Sequence, residues 1–131
     1  MSFLRAITLV VDEYDPAIAF FVDALGFELI EDTPAGVGSD GAPKRWVMVR
    51  PPGAESGLLL ARADGDEQAA AVGHQTGGRV GFFLQVDDFN AAYARMLAAG
   101  VSFVGPARTE PYGKVAVFVD VAGNRWDLLG D

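Results

Sequence analysis

The chain repeats itself. Val10 to Phe27 reads VVDEYDPAIAFFVDALGF and Gln85 to Val101 reads QVDDFNAAYARMLAAGV. Asp12-Glu13-Tyr14-Asp15 aligns with Asp87-Asp88-Phe89-Asn90: an acidic pair, an aromatic, then a helix-capping residue type. Both stretches take up helical period and both stop at a glycine, Gly26 and Gly100. The offset is 75 residues from Asp12 to Asp87 and 74 from Gly26 to Gly100. Two copies of one unit within 131 residues restrict the chain to folds assembled from a duplicated supersecondary module.

Each copy has the same order of elements. A β-rich run comes first, Ile7–Val11 or Val80–Val86. A helix follows, with Asp15 or Asp88 to Asn90 as candidate caps and Pro16 suited to a first turn. Ile18, Phe21, Val22 and Leu25 recur at helical spacing, as do Phe89, Ala92, Tyr93, Met96 and Leu97. Gly26 and Gly100 stand where left-handed C-terminal caps are expected. Three strands are predicted after each helix: Phe27–Glu31, Trp46–Arg50 and Leu58–Arg62, then Ser102–Val104, Lys114–Val119 and Arg125–Leu129. Pro51-Pro52-Gly53 and Ala122-Gly123-Asn124 break the last pair of each set. Asp32–Lys44, rich in Gly and Pro, reads as a flexible loop, and Asp66–Val72 as a helix-prone stretch between the halves. The expected fold is α+β: one domain of two βαβββ modules, about residues 3–62 and 79–130, joined by linker 63–78. Its curved sheet is mixed and mostly antiparallel.

Composition removes several chemistries. With no cysteine, disulfides, thiolate metal sites and cysteine nucleophiles are excluded, and the single histidine, His74, excludes a two-histidine metal site within one subunit. A net charge of −8 with scattered acids and no basic stripe argues against nucleic-acid binding. No apolar run approaches the roughly 20 residues of a membrane span. MSFLRAITLVV has no small-residue cleavage site, so no signal peptide is expected and the protein reads as cytoplasmic.

The segments DEYDPAIAFFVDALGFEL and EPYGKVAVFVDVAGNRWDLL carry a family resemblance, the second being similar to a terminal hairpin of Asp, a turn ending Gly-Asn, and an apolar strand bearing an acid. On these the chain resembles the vicinal oxygen chelate superfamily: glyoxalase I, bleomycin resistance proteins and extradiol dioxygenases. The resemblance covers nearly the whole chain. It implies that each sheet curls into a half-barrel with a ligand cavity in the cup, and that the protein is a homodimer. In metal-dependent members, ligands come from the first and last strand of each module and leave open positions for vicinal substrate oxygens, which the metal polarises. Carried onto this repeat, those positions are Ala6, Leu59, Gly81 and Asp127. Three have no side-chain donor, and one carboxylate does not hold a divalent ion against water. No metal or other cofactor is therefore expected.

The candidate ligand-binding residues are Trp46, His74, Gln75, Phe83, Glu110, Tyr112, Phe118 and Asp127. Asp127 should face the cup, opposite Trp126 and Leu128, as an anchor for a cationic or hydroxyl-bearing ligand or as a catalytic base; pairing with an arginine is the alternative. His74 and Gln75 lie in a glycine-rich linker that is an exposed loop or else folds over the cavity. Glu110-Pro111-Tyr112-Gly113 is a turn that the resemblance places at the mouth of the cup. Trp46 and the phenylalanines suit packing or stacking on a planar or cationic ligand. Asp87-Asp88 is explained by helix capping.

Two functions follow. The first is a small-molecule binding protein, similar to bleomycin resistance proteins and working without the family metal. The alternative is a glyoxalase-like lyase or isomerase, or a dioxygenase-like enzyme. It would use a displaced metal site at His74, Glu110 and Asp127, or metal-free proton transfer by Asp127.

Overall fold

A computed structural model describes all 131 residues. The first half runs β1 (Ala6–Val11), α1 (Tyr14–Ala19), β2 (Glu28–Val37), β3 (Pro43–Arg50) and β4 (Gly57–Arg62). A short helix, α2 (Asp66–Ala71), lies between the halves. The second runs β5 (Val80–Gln85), α3 (Phe89–Ala98), β6 (Ser102–Phe103), β7 (Arg108–Glu110), β8 (Gly113–Val119) and β9 (Arg125–Gly130). The strands form two sheets of matching order, β1-β4-β3-β2 and β5-β9-β8-β6, with β7 added on β8. In each, the first and last strands of the half are parallel neighbours and the other pairs are antiparallel. The mixed, mostly antiparallel α+β architecture matches the expectation.

The local signals explain most of this. α3 starts where Asp88 accepts a hydrogen bond from the Ala91 amide at 3.0 Å, satisfying one of the unpaired first-turn donors. Asp15 does not cap α1. That helix already begins at Tyr14, and its last turn widens into a π-helical turn over Phe20–Ala24. Gly26 ends the turn with φ +74°, and a Cβ built there would lie 2.8 Å from the Arg95 guanidinium. Arg95 Nη2 donates to the Leu25 carbonyl at 2.8 Å, tying α3 to the end of the first helix.

Two segments depart from expectation. Asp32–Lys44 is not a loop: β2 continues to Val37, β3 begins at Pro43, and only the tip between them turns. Register shifts around Leu29 and Pro34 absorb Pro34 and Gly36, so turn-forming residues sit at bulges in an edge strand. The short strand β7 precedes the Tyr112 turn, where Pro111 and Gly113 had suggested a turn alone.

One face of each sheet carries the core. Leu9, Val11, Val47, Val49, Leu58 and Leu60 alternate inward in the first sheet, and Ala116, Phe118, Trp126 and Leu128 in the second. Trp126 joins the halves, its ring centroid lying 4.6 Å from Phe82, 5.5 Å from Phe118 and 5.7 Å from Phe21. Its indole N–H donates to Asp120 at 2.9 Å, which satisfies the one polar atom such burial strands. The opposite faces of the two sheets lie outside this core cluster.

Candidate functional site

Alternation puts Thr8, Val10, Trp46, Met48, Leu59 and Ala61 on the free face of the first sheet, and Phe83, Val117 and Asp127 on that of the second. The register shows how closely the halves correspond. Leu59 is the strand partner of Thr8, two residues past Ala6, and Asp127 is the strand partner of Phe83, two residues past Gly81. Leu59 and Asp127 therefore occupy equivalent sites on the two sheets, whereas Gly81, unlike Ala6, falls in a bulge between Val80 and Phe82.

The largest cavity, about 610 Å³, opens on the first sheet. Thr8, Val10, Leu59 and Ala61 line it from β1 and β4, with Lys44 and Trp46 from β3 and Gln68 from α2. The β2–β3 tip is pinned across one end. Ser39 donates to Asp64 through its amide at 3.0 Å and through its hydroxyl, and the Arg62 guanidinium approaches Asp40 at 3.6 Å. The two Ser39 hydrogen bonds hold the Asp64 carboxyl below its ordinary value; Lys44 and Arg62 add a smaller charge effect. Arg45 spans Asp32 and Asp15 at 2.6 and 2.8 Å and lies 5.1 Å above the Tyr14 ring. Its hydrogen bond lowers the Asp32 value, and the two carboxylates raise that of Arg45. Arg62, 15% exposed, also lines the cavity, and its Nε is buried without a hydrogen-bond partner.

The candidate residues are distributed as follows. Trp46 stands in the wall of this cavity, 44% exposed. Phe83, 64% exposed, and Asp127, half-buried and in no ion pair, are neighbours on the second sheet. Glu110 and Tyr112 flank the β7–β8 turn, where Glu110 is bound by Arg108 at 2.8 Å and Tyr112 is exposed. His74 is exposed in the linker. Gln75 is engaged: its Oε1 accepts from the Val10 amide at 3.0 Å and its Nε2 donates to the Thr8 carbonyl at 2.6 Å. Phe118 lies on the core face with no exposure, stacked on Trp126, so it lines no cup. Its even spacing from Ala116 along β8 places it on that side. Arg62 and Lys44 were not among the candidates. A charged residue closing the apolar strand Leu58–Arg62 was the available signal.

The donor set does not fit the family metal. Ala6, Leu59 and Gly81 offer no side-chain ligand, and no three His, Asp or Glu side chains are grouped to hold an ion. A Cβ at Gly81 would lie 2.5 Å from Thr76 Cγ2, so the linker already fills the space a ligand side chain would need. His74, Glu110 and Asp127 are not brought together as a substitute.

Two sheets of matching strand order, each with its first and last strands parallel, define a duplicated βαβββ fold. The chain belongs to the Glyoxalase/Bleomycin resistance protein/Dioxygenase superfamily, whose profile matches residues 4–128. It is 52% identical over 124 residues to an uncharacterized protein of Shewanella frigidimarina, covering 94% of this chain and 89% of that one. The crystal structure of UcmS2 superposes with a TM-score of 0.80 at 31% identity, covering 98% of each chain. TnmS3, an antibiotic binding protein from Streptomyces sp. CB03234, superposes with a TM-score of 0.75 at 30% identity, over 99% of this chain and 96% of that one. No helix is long and apolar enough to cross a membrane.

Proposed function

We propose that this protein binds a flat, largely apolar small molecule in the cup and sequesters it, without a metal ion and without transforming it. The observation that carries the reading is the cavity of about 610 Å³, whose wall includes the half-exposed Trp46 while three of the four family ligand positions bear no donor. Its size suits a drug-sized ligand, and an accessible indole offers a stacking surface. The similarity to an antibiotic binding protein supports the same reading. The working form is proposed to be a cytoplasmic homodimer. A partner's surface would cover exposed Phe3, Leu4, Ile7 and Phe83, which a monomer leaves in water.

The test is titration of the protein with a panel of planar aromatic antibiotics by isothermal titration calorimetry, which reads wild type and Trp46→Ala alike. Saturable binding is expected, weakened roughly tenfold or more by Trp46→Ala. Failure of every compound to saturate below roughly 1 mM sinks the proposal. Metal-free proton transfer is the second reading, favoured by the unpaired Asp127 carboxylate on the free face beside Phe83. On that view Asp127→Asn abolishes turnover of a substrate that the protein converts.

A further inference from the structure

Resting on the binding reading above, we infer that the first-sheet cavity selects organic anions, receiving an oxyanion group at Arg62 and Lys44 while a flat body lies along Trp46. The wall holds several charged side chains, and they differ in how far they are satisfied. Arg45 is committed to two carboxylates at 2.6 and 2.8 Å. Asp64 is occupied by both donors of Ser39. Arg62 is different: its contact with Asp40 is 3.6 Å, too long for a hydrogen bond, so no carboxylate is hydrogen-bonded to the ends of its guanidinium. Lys44, in the same wall, forms no ion pair.

A guanidinium that is only 15% exposed and lacks a hydrogen-bonded carboxylate is poorly compensated, and a ligand oxygen that meets its terminal N–H groups supplies the missing acceptor. Carboxylate, sulfonate and phenolate oxygens suit a guanidinium best, because charge-assisted hydrogen bonds are about twice as strong as neutral ones. Asp40 is 55% exposed and can be displaced from Arg62 into water. The net charge of −8 opposes anions at long range, so the selectivity is local to the cavity. Trp46 and Leu59 provide the adjoining apolar surface.

Two fluorescent probes with the same ring system separate the body from the charge: anilinonaphthalene sulfonate and the uncharged phenylnaphthylamine. The sulfonate is expected to bind at least about tenfold more tightly, and Arg62→Gln to remove most of that preference. Lys44→Gln should remove a smaller part. Arg62→Lys keeps the charge but lacks the planar fork of terminal donors, and is expected to fall between wild type and Arg62→Gln; it also serves if Arg62→Gln does not fold. Thermal melting checks each variant. Equal affinity for the two probes, or a preference that survives Arg62→Gln or Arg62→Lys undiminished, overturns the anion site. If phenylnaphthylamine still binds in a Trp46-dependent way, the small-molecule reading stands without it. If neither probe saturates the protein, that reading falls and the anion site falls with it.

Discussion

Asp120 and Trp126 are joined at 2.9 Å by the indole N–H, and the same carboxylate organises the turn between them. Its Oδ1 accepts from the amides of Ala122, Gly123 and Asn124 at 2.9, 3.0 and 3.0 Å, and its Oδ2 also receives the Asn124 side chain. Asp120 is 5% exposed and Asn124 3%, so water cannot replace these bonds. One residue thus shapes the β8–β9 turn and fixes the tryptophan that connects both halves of the core.

Asp120→Ala leaves several buried donors without an acceptor and should cost about 2–4 kcal/mol. Asp120→Asn keeps one acceptor oxygen and should cost less, about 1–2 kcal/mol. Urea unfolding of the three proteins checks the order. Equal stability of Asp120→Ala and wild type would show that the turn forms without the carboxylate.

Gln75 closes the free edge of β1 by imitating a peptide group, accepting from Val10 and donating to Thr8. Gln75→Ala should cost about 1–2 kcal/mol, the net worth of two hydrogen bonds. Gln75→Glu retains the acceptor for Val10 but turns an oxygen toward the Thr8 carbonyl, so it should destabilise at least as much. Amide exchange at Val10 should speed up in Gln75→Ala, which removes its acceptor. Unchanged protection there would mean that the side chain does not hold the edge.

Much of this was legible in the sequence because duplication doubles every local signal. Gly26 and Gly100 each marked a helix end, although the first cap was read at Asp15 rather than Glu13, and the register confirms that Leu59 and Asp127 are equivalent. What escaped depends on neighbours distant along the chain. Phe118 was assigned to the cup from its type, whereas its face is set by the pairing of β8 with β9, which stacks it on Trp126. Gln75 was read as a ligand contact because no local pattern shows that β1, some 67 residues earlier, has an edge to fill. Pro34 and Gly36 suggested a loop, since propensity cannot tell a turn from a bulged edge strand.

The β2–β3 tip should release in acid. The Asp64 carboxyl is held below its ordinary value of 3.8, first by the Ser39 hydroxyl and then by the Ser39 amide. A carboxylate with a depressed folded value contributes stability that is complete above its unfolded value and lost as pH falls through the folded one. The Ser39 amide resonance should therefore titrate with a midpoint below 3.8 in wild type and be flat there in Asp64→Asn. A wild-type midpoint at or above 3.8 contradicts the arrangement.

Asp127 offers the sharpest division between the two functional readings. It is the one carboxylate among Ala6, Leu59, Gly81 and Asp127, and a lone carboxylate cannot retain a divalent ion through purification. Untagged protein from cultures supplemented with nickel, zinc, iron and manganese should carry less than about a tenth of an equivalent of any one metal by elemental analysis. Asp127→Asn should leave that figure unchanged and shift stability by less than about 0.5 kcal/mol, because the half-buried side chain has no ion-pair partner to lose. If the same variant also binds the aromatic panel as wild type does, Asp127 is dispensable for sequestration. Near one equivalent of a single metal, lost on Asp127→Asn, would instead mean that ligands from a second subunit complete a centre around this carboxylate and would return the protein to the metal-dependent members of its family.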